Sequence, residues 1–329
     1  MAKRLTELAL LALVVVLVPA CGTGTQQDGE AETAAQEAGP VVRVLGTVQD
    51  GGLPHAACYC ERCERARRDP SQQRLIASLG VLVPGSGLRF LIDATPDVRP
   101  QLDALRDADP MAGGRTGRRP VDGVLLTHAH IGHYLGLAFF GFEAAHTDRV
   151  PVFCSRPLAA FLRGNAPWDQ LVRLENIVPR EFLEGRPLRL HPELSVEVLR
   201  VPHRDEYADT VGFVLRGPRR SLLYVPDTDG WEHWDPPLTE HLDGIDVAIL
   251  DGTFYSADEL PGRDVAEIGH PLIESSMELL EPLVQSGQLE VYFTHLNHSN
   301  PALDEDSAAR RAIRERGFHV AREGQEFPL

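Results

Sequence analysis

The stretch LLTHAHIGHYLGL, residues 125 to 137, ends an apolar run and carries three histidines within six positions. His128 and His130 are two positions apart, so their side chains point the same way if the chain stays extended, and His133 follows where a helix begins. A single buried histidine is usually a hydrogen-bonded core residue. Burying three imidazoles together is costly unless they share a cation. The spacing therefore predicts that all three histidines are metal ligands.

The composition indicates a folded, acidic protein. Of the 329 residues, 43% are hydrophobic and 24% are charged, which is enough for a substantial core in one large domain or two small ones. The formal net charge of -16 would repel a nucleic-acid backbone, and a basic patch that offsets it is hard to find. We therefore expect a small-molecule substrate and no nucleic-acid partner.

Short runs of β-branched and aliphatic residues predict a strand-rich domain from residue 41 onward. The predicted strands are residues 41–46, 79–83, 88–93, 121–127, 150–153, 194–201, 211–215, 221–227, 245–252 and 289–295. The predicted helices are residues 96–105, 133–144, 156–163, 273–286 and 304–317, the last with Asp304 as N-cap and Gly317 as C-cap. This mixture favours an α/β (α+β) fold in which two sheets pack face to face with helices outside.

Several predicted strands run directly into a histidine or an aspartate. The junctions are Thr127-His128, Pro202-His203, Pro226-Asp227, Leu250-Asp251 and Thr294-His295. Side chains at strand ends converge on one edge of a sheet, where binding and catalytic groups are often found. We expect these residues to meet in one site.

The N-terminus has the pattern of a secretory signal, since Lys3 and Arg4 precede the apolar stretch LALLALVVVLVPA (residues 8–20). The stretch ends in VPAC and resembles the lipobox of bacterial lipoproteins, which implies lipidation of Cys21; an ordinary cleaved signal is the alternative. The polar residues 22–40 suit a flexible tether. We therefore predict a lipoprotein signal peptide over 1–20, a tether over 21–40 and a folded domain over 41–329. The protein would be exported and anchored to a membrane, at its periplasmic or outer face.

The histidines and aspartates together resemble the signature of the metallo-β-lactamase superfamily. That signature is HxHxDH at the end of a strand, followed by a histidine and an aspartate at later strand ends and a last histidine near the C-terminus. The resemblance implies an αββα four-layer sandwich. It also implies two metal positions, the first held by His128, His130 and His203 and the second by the aspartate of HxHxDH, His133 and His295, with Asp227 bridging them.

Gly132 stands where the superfamily has the aspartate of HxHxDH. The first position keeps three ligands and an open position, as in a catalytic zinc site. The second position loses an anionic ligand, so we expect one tightly bound metal and a second that is weak or absent. On this interpretation Gly132→Asp should raise the occupancy of the second position. The loss also removes a candidate to orient the nucleophilic water or shuttle its proton. Asp205, Asp209 and Asp229, which lie close in sequence to His203 and Asp227, are candidates for that role, with surface carboxylates as the alternative.

A second group of metal-ligand residues lies in CYCERC, residues 58–63. Loops this short strain a disulfide, and three thiols would leave one unpaired. Cys58, Cys60 and Cys63 instead suit a structural zinc that lacks one ligand. His298, which follows the predicted active-site ligand His295 by three residues, is the candidate for the fourth.

Other motifs narrow the resemblance to the pyrroloquinoline quinone biosynthesis protein B family and the related cyclic phosphodiesterases of phosphonate degradation. These motifs are LGTVQDGGLP before the cysteines, ATPDVRPQL (94–102), DGTF with the later GHP (251–271) and NPALDEDS (300–307). The likeness to the phosphodiesterases implies that His298 completes the cysteine zinc site and that His270 acts on the substrate phosphate or leaving group. The quinone-biosynthesis family usually lacks the full histidine set that HAHIGH retains, which favours hydrolase-like chemistry.

We therefore expect a metal-dependent hydrolase of an ester, a lactone or a small phosphodiester, with Asp227 and His270 as catalytic residues. One or two divalent metals (Zn, Mn or Fe) would lower the pKa of water toward ~7 and stabilise developing negative charge. His270 would donate a proton or a hydrogen bond to the leaving group. Two alternatives stay open, namely iron-dependent oxidation of a quinone precursor and carriage of a quinone-like ligand without catalysis.

Overall fold

Two seven-stranded sheets lie at the centre of the described chain, which in this computed structural model comprises residues 39–108, 117–183, 185–259, 262 and 269–329. The predicted signal peptide, Cys21 and most of the predicted tether lie outside the described residues. No helix in the described ranges combines the length and apolar character needed to cross a bilayer.

The first sheet consists, in spatial order, of β14 (Glu326–Pro328), β1 (Val41–Gly46), β2 (Ser78–Val83), β3 (Leu88–Ile92), β4 (Gly123–Leu125), β5 (Val150–Cys154) and β6 (Ile177–Glu181). The second consists of β13 (His319–Val320), β12 (Glu290–Thr294), β11 (Val247–Asp251), β10 (Ser221–Val225), β9 (Thr210–Arg216), β8 (Leu194–Val201) and β7 (Leu188–His191). Strands β3 to β6 and β10 to β13 are parallel, and the other pairs are antiparallel. Each sheet therefore gathers the carboxyl ends of several strands at one edge.

Most of the helices cover the outer faces of the two sheets. The helices are α1 (Glu61–Arg68), α2 (Val98–Ala108), α3 (Ile131–Tyr134), α4 (Arg156–Gly164), α5 (Trp168–Arg173), α6 (Ile273–Gln285) and α7 (Ala308–Glu315). Helix α1 packs on the loop after β1. Apolar residues of α2, α4 and α5 share one core with the first sheet, and those of α6 and α7 share another with the second. A third core lies between the sheets. The predicted αββα four-layer sandwich is confirmed.

Strand β11 shows why the central strands are apolar on both faces. Val247 and Ile249 pack into the core between the sheets, whereas Ala248 and Leu250 pack toward the helices on the other side. Alternate residues of a strand face opposite ways, so a strand covered on both sides needs apolar side chains at every position. This requirement explains why the sequence alone revealed these strands as continuous apolar runs.

The ten predicted strands are all present, and four predicted helices correspond to α2, α4, α6 and α7. The prediction for residues 133–144 was wrong, because α3 is one short turn and Leu135–Phe140 continues as a 3₁₀ helix. The cause is Gly136, whose amide donates to the carbonyl of Ala94 at 2.8 Å instead of to its own helix. An added Cβ at Gly136 would lie 2.1 Å from the carbonyl oxygen of Thr95, so only glycine fits this close approach.

The start of α7 also differs from the prediction. Ser307, not Asp304, is the N-cap, and its Oγ accepts from the amide of Arg310 at 3.0 Å. Asp304 accepts from the amide of Asp306 in the turn before the helix. At the other end Gly317 follows the C-cap Arg316 with a φ of 84°, the left-handed conformation that favours glycine.

Candidate metal centre

The six predicted active-site ligands converge at the edge where strand ends from both sheets meet. His128 and His130 follow β4, and His133 lies in α3. The second sheet contributes His203 after β8, Asp227 after β10 and His295 after β12. Residues separated by as many as 167 positions in the sequence thus lie within a few ångströms of one another.

The first group of ligand atoms belongs to His128, His130, His203 and Asp227. Nδ1 of His130 is 3.0 Å from Nε2 of His128 and 3.2 Å from Nε2 of His203. The two carboxylate oxygens of Asp227 lie 3.3 Å from the same two Nε2 atoms, one oxygen on each. Two nitrogens at about 2.1 Å from a tetrahedral ion are roughly 3.4 Å apart, so this spacing fits one divalent metal.

Each histidine of the first group is oriented through its outer nitrogen. The contacts are His128 Nδ1 with Thr127 Oγ1 at 2.9 Å, His130 Nε2 with Glu206 Oε2 at 3.1 Å, and His203 Nδ1 with Asp229 Oδ1 at 3.0 Å. Such outer contacts fix the ring and the tautomer of histidines that bind metals. The inward nitrogens are therefore the ones that present lone pairs.

The second group comprises His133 and His295, whose Nε2 atoms lie 3.8 and 3.9 Å from Oδ2 of Asp227, and its rings are held in the same manner. His133 Nδ1 contacts Asp93 at 2.7 Å, and His295 Nδ1 contacts Thr253 Oγ1 at 3.0 Å. The inward Nε2 of His133 is buried without a hydrogen-bond partner among the described residues. A buried imidazole nitrogen without a hydrogen-bond partner is expected at a site that binds a cation.

Asp50, which was not among the residues predicted from the sequence, supplies a carboxylate at the second group. Its Oδ1 is 3.3 Å from Nε2 of His295 and 3.5 Å from Nε2 of His133. The three aspartates considered from the sequence for the water-orienting role have other surroundings. Asp229 contacts His203, Asp209 pairs with Arg200, and Asp205 is exposed. The signal in the sequence was QDGG (residues 49–52), which lies five residues before the first cysteine of the cluster.

Asp227 and Asp50 have lowered pKa values, which favour their ionised forms. Burial opposes the charge of Asp227, but His295 and His270 outweigh burial and hold its pKa well below the usual range. Burial also opposes the charge of Asp50, but His133 and His295 outweigh burial and hold the pKa of Asp50 well below its usual range. Two negative charges thus face the ligand nitrogens.

The imidazoles differ in protonation. Burial lowers the pKa of His128 well below its ordinary value, so its ring is neutral. Burial also acts to lower the pKa of His133, but the charges of Asp93 and Asp50 raise it well above that value. A cation that binds His133 must therefore displace a proton.

His270 lies beside the metal ligands and is anchored by Asp251. Its Nδ1 is 2.8 Å from Asp251 Oδ2 and 3.3 Å from Asp227 Oδ1. Burial acts to lower the pKa of His270, whereas Asp251 and Asp227 outweigh it and raise the pKa to about 9. Because Nδ1 faces the carboxylates, Nε2 is the atom left to meet a substrate.

The cysteine cluster is assembled as the sequence suggested. The sulfur atoms of Cys58, Cys60 and Cys63 and a ring nitrogen of His298 lie within 4.8 Å of one another, and the thiols are free. Backbone amides donate to two of the sulfurs, at 3.3 Å to Cys63 and 3.4 Å to Cys58. His298 Nδ1 contacts Asn297, which leaves Nε2 for the cluster. Three sulfurs and one imidazole fit a tetrahedral structural zinc.

Comparison with known families agrees with this geometry. The sequence model of the family described as "Beta-lactamase superfamily domain" matches residues 88–307. The chain belongs to the metallo-β-lactamase superfamily. The predicted family resemblance is therefore confirmed, and the match spans most of the metal ligands described above.

Individual relatives cover nearly the whole domain. The chain is 28% identical over 312 residues to coenzyme PQQ synthesis protein B of Methylococcus capsulatus, which covers 88% of this chain and 100% of that protein. The protein of the same name from Pseudomonas fluorescens is 29% identical over 310 residues, with 88% and 99% covered.

Solved structures give the same picture. Zn(2+)-bound PqqB from Methylobacterium extorquens superposes with a TM-score of 0.71 at 25% identity, covering 88% of this chain and 100% of that one. A diphosphatase from the PhnP family shares the fold with a TM-score of 0.60 at 23% identity, covering 88% and 96%.

Replacing Cys60 by serine should remove about one zinc ion per chain, because a site with two thiolates and one imidazole holds zinc less tightly. Zinc content is measured by mass spectrometry on the purified full-length protein. Cys154→Ala is the matched control, since Cys154 is a buried thiol of β5 outside the cluster. Equal zinc content in Cys60→Ser and wild type would contradict the assignment.

Proposed function

We propose that this protein is a metal-dependent hydrolase that acts on an ester, a lactone or a small phosphodiester. The observation that carries the proposal is the arrangement around Asp227. Its carboxylate lies between two sets of histidines whose outer nitrogens are hydrogen-bonded and whose inward nitrogens face it. The full histidine set of HAHIGH and the superfamily membership support hydrolytic chemistry.

His128, His130, His203 and Asp227 would hold one divalent metal, with Zn, Mn and Fe as candidates, and the Zn-bound relative supports a metal at this fold. When bound, such a metal lowers the pKa of water and stabilises negative charge on a substrate oxygen. Asp227 contacts both histidine sets, so it fixes their separation and presents a carboxylate beside the reacting groups. The acidic chain favours a small substrate over a nucleic acid.

His270 is assigned to the leaving group. Asp251 accepts from its Nδ1 and sets the direction of the ring, so Nε2 is aimed away from the carboxylates. A positioned imidazole can donate a proton, or a hydrogen bond, to an oxygen that departs with negative charge. Because Asp251 also accepts from Thr253 at 2.7 Å, it is fixed on the other side as well.

A second candidate function is a role like that of coenzyme PQQ synthesis protein B, with iron-dependent oxidation or carriage of a quinone precursor. The likeness to those relatives over 88% of the chain favours it. The histidine site also suits iron.

Metal reconstitution separates the two candidates. The full-length protein is stripped with a chelator, reloaded with zinc, manganese or iron, and assayed on bis(p-nitrophenyl) phosphate and on a lactone, with and without oxygen. Zinc or manganese should restore hydrolysis whether or not oxygen is present, and His128→Ala/His130→Ala should abolish it. Turnover that requires both iron and oxygen would contradict the hydrolase. Unimpaired binding of a quinone-like ligand by the double variant, with no turnover in wild type, would favour a carrier.

His270→Gln should lower kcat/KM about 10²- to 10⁴-fold for substrates whose leaving group is an alcohol, the range of general acid catalysis. The loss should be much smaller for p-nitrophenol esters, because that leaving group departs without a proton. Parallel assays on the two substrate classes make the comparison, and metal content confirms that the site is intact. Equal losses on both classes would show that His270 does not act on the leaving group.

We also propose that Cys21 is lipidated and ties the domain to a membrane surface. The signal-like N-terminus and the VPAC motif support this. Cys21→Ala should release the protein from the membrane fraction of a bacterial host, because burial of each acyl CH₂ contributes ~0.8 kcal/mol. Fractionation with radiolabelled palmitate provides the measurement. A Cys21→Ala protein that remained membrane-bound would refute lipid anchoring.

A further inference from the structure

The carboxylate of Asp50 faces the part of the centre that the sequence left without an anion. Its Oδ1 lies 3.5 Å from Nε2 of His133 and 3.3 Å from Nε2 of His295. Asp227 Oδ2 is 3.8 and 3.9 Å from the same two nitrogens. Asp50, His133 and His295 therefore form one group whose ligand atoms lie within 4.8 Å of one another, and Asp227 Oδ2 adjoins the same two imidazoles. The outer nitrogen of each ring is already hydrogen-bonded.

Gly132 is the reason that Asp50 can reach these two imidazoles. An added Cβ at Gly132 would lie 2.1 Å from Oδ1 of Asp50 and 2.3 Å from its Cγ, distances that atoms cannot share. The amide of Gly132 in turn donates to Oδ2 of Asp50 at 3.3 Å. The carboxylate thus occupies the space in which a side chain at position 132 would begin. A glycine at 132 and an aspartate at 50 are complementary.

The backbone around Asp50 is fixed against the segment that carries His295. Val48 forms β-bridges with both Ile76 and Leu296, and the amide of Gln49 donates to the carbonyl of Leu296 at 3.0 Å. Val48 is fully buried. Because these contacts come directly before Asp50 and directly after His295, they set the distance between the two side chains.

We propose that Asp50 is a ligand of a second divalent cation, held together with His133, His295 and Asp227. It would supply from the segment after β1 the carboxylate that the superfamily signature supplies from position 132. The centre then has enough carboxylates to balance two cations. The absence of an aspartate at position 132 therefore does not weaken binding of the second cation. This inference rests on the proposed metal site, and it holds whichever reaction the site performs.

The test counts metal ions in the full-length protein after dialysis against zinc. Wild type should hold about three ions per chain, one at the cysteine cluster and two at the centre. Asp50→Asn keeps an oxygen that accepts from the amide of Gly132 but lacks the charge. It should lose about one ion, or bind the weakest ion at least roughly 100-fold less tightly in chelator competition. Asp205→Asn, which removes an exposed carboxylate two residues after His203, is the control and should bind as wild type does.

A carboxylate swap makes the test sharper. Gly132→Asp alone should destabilise the protein, because the new side chain overlaps Asp50, and its melting temperature should fall. Asp50→Gly alone should lose the second ion. The double variant Asp50→Gly/Gly132→Asp places the carboxylate back at position 132 and should regain the ion. Manganese-loaded samples give a second readout, since two adjacent ions produce a spin-coupled electron paramagnetic resonance signal that one ion does not.

The two proposals fail in different ways. Equal ion content and affinity in wild type and Asp50→Asn would overturn the role of Asp50, as would a wild type with one ion at the centre. Hydrolysis could persist in either case. A wild type that binds no ion at His128, His130 and His203 would instead contradict the proposed function.

Discussion

The buried carboxylate of Asp227 is the constraint on which the site depends. It is 4% exposed, and imidazole nitrogens of five histidines lie within 3.3 to 3.9 Å of its oxygens. A buried charge is tolerated only where groups of opposite charge or hydrogen-bond donors surround it. The two sheets meet this requirement jointly, because His128 and His133 come from β4 and α3 on one side. On the other side His203 follows β8, His295 follows β12 and His270 lies just before α6. The packing of the two sheets therefore forms the sandwich and also surrounds the carboxylate of Asp227 with histidines.

Two aspartates at strand ends orient the ligands by the same chemistry, one in each sheet. Asp93, after β3, accepts from the hydroxyl of Thr127, and that hydroxyl contacts Nδ1 of His128. Asp251, at the end of β11, accepts from the hydroxyl of Thr253, and that hydroxyl contacts Nδ1 of His295. A hydroxyl that donates to a carboxylate accepts from the ring N–H, which leaves Nε2 as the lone pair. Each aspartate also contacts a second imidazole, His133 or His270.

Features with a local pattern were predictable from sequence, and features that depend on distant contacts were not. The central strands are apolar runs, and the six ligands follow strand ends or open a helix, so both left a signal. The edge strands β6, β7, β13 and β14 are short or partly exposed, and α1 and α5 are brief helices of eight and six residues, α1 composed mostly of charged residues. Asp50 was missed because its partners lie 83 and 245 positions away, and only folding places it beside Gly132. Considered without Asp50, Gly132 indicated only that a metal-binding carboxylate was missing.

The metal centre and the cysteine cluster take residues from the same pair of chain segments. The segment after β1 carries Asp50 and then Cys58, Cys60 and Cys63, and the segment after β12 carries His295 and then His298. Arg62 joins the segments further along, since it donates to the carbonyls of His298 and Asn300 at 2.8 and 2.6 Å. An ion among the cysteines would add a second cross-link between the same segments. Asp50 and His295 come before the cysteines and His298 in these two segments. A cross-link between the later residues therefore limits how far Asp50 and His295 can separate. The cysteine cluster therefore belongs to the architecture of the centre, although it lies outside the groups that would meet a substrate.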